Sequence, residues 1–143
     1  MATTYTWKKK AVEIYMSEIR KGLDRAALDV QGLTKRILST KGKGTRYPNQ
    51  PTRSSSPGHP PVVQTGTLRR SIQIDRSKNK GNRPKVRIGT NVEYAVYLEL
   101  GTRHMEPRPF LRPALRKSKK RVSSRMKDAM NTAVKQIGKL SFA

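Results

Sequence analysis

The chain has 143 residues, no cysteine, and 32 lysines and arginines against 9 acidic residues, for a formal charge of +23. This length supports one modest domain, and the absence of cysteine excludes disulfide frameworks, thiol catalysis and cysteine-based zinc sites. A charge so large repels itself and draws anions, so nucleic acid or a strongly acidic protein is the expected partner.

Lys8, Lys9 and Lys10 are followed by Glu13, Ser17 and Glu18 rather than by the apolar core of a secretory leader. The longest apolar run, Ala95 to Leu98, is far too short to cross a membrane. Residues 5–38 read as one long helix. Val12, Met16, Ile19, Leu23, Ala26, Val30, Leu33 and Ile37 recur at alternating steps of four and three, which holds one apolar stripe on one side. The stripe is heptad-like, but it is short, and Gly22 and Gly32 each cost about 1 kcal/mol relative to alanine. Packing against the domain's own sheet is therefore favoured over an intersubunit coiled coil. Trp7 and Tyr15 lie beside the seam and extend its apolar face.

From Ser39 to Gly66 the composition changes abruptly. Prolines at 48, 51, 57, 60 and 61 join Gly42, Gly44, Gly58 and a serine run, a mixture that makes neither helix nor good strand. Lys41, Lys43, Arg46 and Arg53 make this segment a basic arm, expected to be cut first by protease between residues 40 and 62 and to order against a neighbour in an assembly. Thr65 is placed to cap a single turn, TLRR, before Ser71–Asp75 becomes extended. The turn KNKGNRP then leads into a second alternating stretch, Lys85–Gly89, which completes a hairpin.

Asn91 is placed to cap YAVYLEL and Gly101 to stop it. Helical spacing favours a helix here, while the alternation of Tyr94, Val96 and Leu98 leaves a strand open. Pro107 and Pro109 hold Glu106 and Arg108 extended, delivering Phe110 and Leu111 to the start of a last helix, with Pro113 in its first turn. Along that helix Leu115, Val122, Met126, Ala129, Ala133, Ile137 and Leu140 form an apolar stripe with Ser118 as a polar gap, opposite a strongly basic face. The expected fold is α+β: a small antiparallel β-sheet packed by a long N-terminal helix and a C-terminal helix, with a long Pro-rich loop. The expected organisation is a single domain over 1–143, comprising helix 1–38, arm 39–66, sheet and short helix 67–113, and basic helix 114–140. The expected core is Leu68, Ile72, Ile74, Val86, Ile88, Leu98, Phe110 and Leu115.

Catalytic signatures are not found. His59 and His104 stand apart without metal-ligand spacing, Glu93, Glu99 and Glu106 sit among arginines better suited to ion pairing than to acid–base work, and GKGTR lacks the strand and helix of a phosphate loop. No cofactor, metal or enzyme activity is expected. Nucleic-acid module signatures are missing too, so any contact with DNA would be directed at the phosphate backbone, sequence-independent and salt-sensitive.

Three motifs stand in fixed order: TGxLRxSI at Thr65–Ile72, YAxYLExGT at Tyr94–Thr102 and RPFLxPAL at Arg108–Leu115. Over roughly residues 56–115 the chain resembles the neck proteins of long-tailed bacteriophages, a family labelled tail-completion, head-tail joining or minor tail component. The resemblance implies a structural, non-enzymatic virion protein that is made in the host cytoplasm and forms a ring, a hexamer by the usual tail symmetry. That ring would lie between the DNA-filled head and the tail, around a channel for DNA. Implied partners are other copies of itself, a tail terminator or tail tube protein, a head connector or stopper protein, and packaged double-stranded DNA, with no membrane. Arg69, Arg70, Glu99, Arg103, Arg108, Phe110 and Arg112 are the candidate interface residues, the arginines pairing with Glu93, Glu99 and Glu106 within or between subunits. Lys41, Lys43, Arg46, Arg53, Lys117, Lys119, Lys120, Arg121 and Arg125 are candidates for DNA or an acidic partner. The rival reading is a basic nucleic-acid-binding protein acting through phosphate contacts.

Overall fold

The computed structural model describes residues 2–42, 44–46, 48–49, 53–63 and 65–140. Four helices and one hairpin follow in the order α1 (Ala2–Ile37), α2 (Thr67–Ser71), β1 (Gln73–Asp75), β2 (Arg87–Gly89), α3 (Tyr94–Leu100) and α4 (Leu111–Leu140). The α+β class read from the sequence is the one observed. The strands pair antiparallel with Gln73 opposite Gly89, Ile74 opposite Ile88 and Asp75 opposite Arg87. They are shorter than the alternation suggested because α2 runs on to Ser71, and the ladder closes only at Arg87, three residues past Pro84.

The stripe of α1 meets a different partner from the one expected. Its main neighbour is α4, which runs antiparallel beside it: Glu18 lies opposite Gln136, Gly22 opposite Ala129, and Asp29 opposite Arg125. Small residues allow this approach. A Cβ on Gly22 would stand 2.6 Å from the Cβ of Ala129, and Ala26, Ala129 and Ala133 are all buried nearby in the same helix pair. Gly22, read from sequence as a weak point in a helix, is the close-packing point of the pair. The sheet takes another flank of α1, where Gln31 Nε2 donates to the carbonyl of Ile72 at 2.8 Å and Arg20 donates to the carbonyl of Gly81 at 2.9 Å. Arg76 and Asp24 add an ion pair at 3.1 Å. The long helix is thus the shared wall between α4 and the hairpin.

The core joins the C-terminal end of α1 to α2, α3 and the start of α4 through Ile37, Leu38, Leu68, Ile72, Ala95, Phe110 and Ala114. Ile88 and Leu98 are half-buried against this cluster, and Ile74 and Val86 are half-buried elsewhere. Leu115 is a correction, since it is 60% exposed. On α4 the fully buried positions are Ala114, Ser118, Ala129 and Ala133, while Val122, Met126, Ile137 and Leu140 of the expected stripe are half-buried. Ser118, taken as a gap in the stripe, is buried and satisfies its hydroxyl on the Ala114 carbonyl within the helix.

Two caps also differ. The N-cap position of α3 is Glu93 rather than Asn91, and it makes no side-chain capping bond. Gly66, at φ 74°, holds the N-cap position of α2, while Thr65 Oγ1 accepts the Thr67 N–H at 3.4 Å. The basic arm contains no helix or strand among its described residues, yet its limbs are tied. Gly44 donates to Ser54 and Ser54 to Thr45, both at 2.9 Å, and Gly58 donates to the Pro107 carbonyl at 3.0 Å.

Candidate functional site

The three sequence motifs converge on the first turn of α4. A helix start leaves backbone N–H groups with no partner inside the helix, and α4 has no acidic residue in its own first turn. Glu99 supplies the missing acceptor from α3. Its carboxylate accepts the N–H groups of Phe110 at 2.7 Å, Leu111 at 3.0 Å and Arg112 at 2.9 Å. Residue 113 is proline and has no N–H, and Ala114 donates to the Phe110 carbonyl at 3.3 Å, which starts the regular helix. Every donor at this terminus is thereby accounted for. A carboxylate is the right group, because it accepts charge-assisted bonds and opposes the positive end of a helix whose next residues are mostly basic.

Glu99 is aimed by the way α3 ends. Gly101 takes φ 79° and donates its N–H to the Tyr97 carbonyl at 2.8 Å. The chain then reverses through a Thr102–Met105 bridge and passes so close to Gly101 that a Cβ there would stand 2.8 Å from the Met105 carbonyl and 2.9 Å from Pro107. On the return, the Arg108 N–H donates to the Leu98 carbonyl at 2.7 Å, which sets Phe110 into the core with no exposed surface.

Arg108 couples the arm to this junction. Its guanidinium donates to Ser55 Oγ at 2.9 Å, and its Nε is buried without a partner. Arg108 also lines a cavity of about 270 Å³ bounded by the arm at Ser54, Pro61 and Val62, by α2 at Leu68, and by α3 at Tyr94 and Leu98. Serine and threonine side chains share its wall with leucine, valine and proline.

The expected arginine–glutamate pairs do not form within the chain. Among the described residues the ion pairs are Lys21–Glu18 at 2.7 Å, Arg76–Asp24 at 3.1 Å and Arg125–Asp29 at 2.8 Å. Glu99 is engaged by backbone donors, a role that spacing alone did not suggest. Phe110 is enclosed by its own core. Arg69 reaches Ser39 Oγ at 3.1 Å, Arg70 lies over Gly66, and Arg103 and Arg112 have exposed side chains.

Of the proposed anion contacts, Lys41, Arg46, Arg53, Lys117, Lys119, Lys120 and Arg121 are exposed. Lys43 lies outside the described residues. Arg125 is ion-paired with Asp29 across the α1–α4 contact. That hydrogen bond holds the Asp29 carboxyl below its usual range and raises Arg125 further. Glu18, buried at the same interface, is lowered chiefly by its hydrogen bond from Lys21, against the desolvation that opposes it. Asp75, at the hairpin turn, is lowered by its hydrogen bonds with Ser77. The remaining surface of α4 is a continuous basic field from Arg112 to Lys127, in a helix whose acidic residue is Asp128. Among the described residues no group of His, Cys, Asp and Glu is arranged to hold a metal ion, and no helix is long and apolar enough to cross a membrane.

This arrangement presents and braces a helix. No curated protein and no solved structure matches the chain. A family model described as "Bacteriophage HK97-gp10, putative tail-component" matches residues 6–101, which span α1, the arm, the hairpin and α3. With two thirds of its length covered by that match and the remaining third locked to the matched part through Glu99, the chain belongs to the HK97-gp10-like family of bacteriophage tail components.

Proposed function

We propose that this tail component is a single-domain structural subunit of the phage neck, forming a ring that completes the tail, joins it to the DNA-filled head and surrounds a channel for DNA. The observation that carries the reading is the Glu99 clamp. It spends residues of two motifs, YAxYLExGT and RPFLxPAL, on holding the start of a long basic helix in place, as a scaffold requires. The net charge of +23 opposes assembly of copies alone in low salt. Ring formation is therefore directed by an acidic platform at the tail tube end or the connector, and basic residues left uncovered face packaged DNA.

Electron microscopy of particles made with and without the protein tests this. Without it, heads and tails accumulate separately; adding the purified protein to tails restores joining and puts ring density at the tube end. Normal joining in its absence overturns the proposal. The second reading, a nucleic-acid-binding protein, is favoured by the uncovered basic field of α4. It predicts DNA binding that persists in particle-free lysate with no effect on joining, and binding that weakens steeply with salt without sequence preference.

A further inference from the structure

α3 turns only one side inward. Ala95 is buried and Leu98 half-buried, while Val96, Tyr97 and Leu100 stand 58%, 57% and 53% exposed. Positions 96, 97 and 100 share one arc of a helix, so they form a single apolar patch rather than scattered points. Carboxylates bound it at both ends: Glu93 directly before the helix, and Glu106 in the turn that lies against Leu100. Neither carboxylate has a partner among the described residues. In so basic a chain, two unpaired acids flanking one exposed apolar patch need a reason.

α4 carries the converse surface. Exposed Leu115 and half-buried Val122 floor a shallow groove of about 490 Å³ rimmed by Arg112, Arg116 and Lys119. An apolar face between acids and an apolar groove between bases match in chemistry and in sign. We propose that α3 of one copy seats in the α4 groove of the next, so that the chain associates with itself head to tail. This rests on the ring reading above and names its two faces. Because the faces differ, the contact is heterologous and repeats around a closed ring instead of ending at a two-fold dimer.

A few side chains cover less than the ~800 Å² per partner of a stable interface, so one contact alone is transient. Repulsion between copies of charge +23 opposes the encounter and is screened by salt, whereas the apolar contact is not weakened by salt. Pairing therefore strengthens from about 50 mM to about 500 mM salt, the reverse of phosphate binding.

The chain has no cysteine, so two engineered thiols report the contact without background. Full-length Tyr97→Cys and Leu115→Cys proteins are mixed at about 500 mM salt under mild oxidation, where a disulfide requires Cα atoms within about 7 Å. The mixture gives at least several-fold more disulfide dimer than either variant alone, and a chain carrying both substitutions gives a ladder of larger species. At about 150 mM salt, where these exposed charges are less screened, adding Glu93→Lys and Glu106→Lys to the first variant lowers the mixed product several-fold, and Arg116→Glu with Lys119→Glu in the second restores it. Circular dichroism checks that each variant is folded. Equal cross-linking by one variant alone, or no mixed product between folded variants, overturns the proposal. Oligomers in sedimentation without the mixed disulfide overturn these faces and leave the ring standing, whereas the ring itself fails on the joining experiment.

Discussion

Glu99 does work that residue identity alone conceals. Any carboxylate among arginines looks like half of an ion pair, yet here three backbone donors converge on it from a helix twelve residues away in sequence. Glu99→Ala leaves these donors short of acceptors at a partly buried terminus and is expected to cost about 2–4 kcal/mol. Glu99→Gln, which keeps a neutral acceptor, loses less; denaturant unfolding measures both. Gly101→Ala meets two obstacles at once, a positive φ and a carbonyl 2.8 Å from the new Cβ. It should destabilise by about 1–3 kcal/mol, read by the same method. Asp29 and Glu18 set an acid limit. Their folded pKa values lie below the ordinary 3.8 and 4.5, so their stabilisation is present at neutral pH and lost as pH falls below about 4.5 through the folded values. Tm should hold between about pH 7 and pH 5 and drop below that, and Asp29→Asn should make the drop shallower.

Between elements, the decisive contact is the antiparallel pair α1–α4. Helix propensity favours alanine over glycine by about 1 kcal/mol, so local reasoning predicts that Gly22→Ala stabilises. Packing predicts the opposite, because the added Cβ would stand 2.6 Å from that of Ala129 and the helices must part. Overpacking of this kind costs about 1–3 kcal/mol. The net expectation is a loss in thermal unfolding, and the compensating Ala129→Gly change should recover part of it. The clamp and the pair act on one element: Glu99 fixes where α4 begins, and the small-residue seam fixes how closely it lies on α1. Together they leave its basic side uncovered.

For the whole molecule, charge governs behaviour more than shape does. Among the described residues the ion pairs engage Glu18, Asp24 and Asp29, and across the sequence the cations far outnumber the acids. Most of the positive charge therefore faces outward. The purified protein is expected to be monomeric at about 50 mM salt in sedimentation velocity and to retard DNA of any sequence there, with retardation falling steeply by about 200 mM. Sequence-selective binding would contradict this picture, as would closed rings of the isolated protein at low salt.

The sequence by itself determined the fold class, the long helices, the hairpin, the stop at Gly101 and the family. These follow from periodicity, turn residues and motif order, which act over neighbouring positions. Only the tertiary structure decided that Ala114 and not Leu115 enters the core, what Glu99 holds, and that Gly22 is a contact rather than a flaw. Leu115 shows why: a stripe marks apolar residues, but which of them is covered depends on how much space the facing helix leaves. At this point Ala114 enters the core beside Phe110, Ile72 and Leu38, and the neighbouring Leu115 is left outside it.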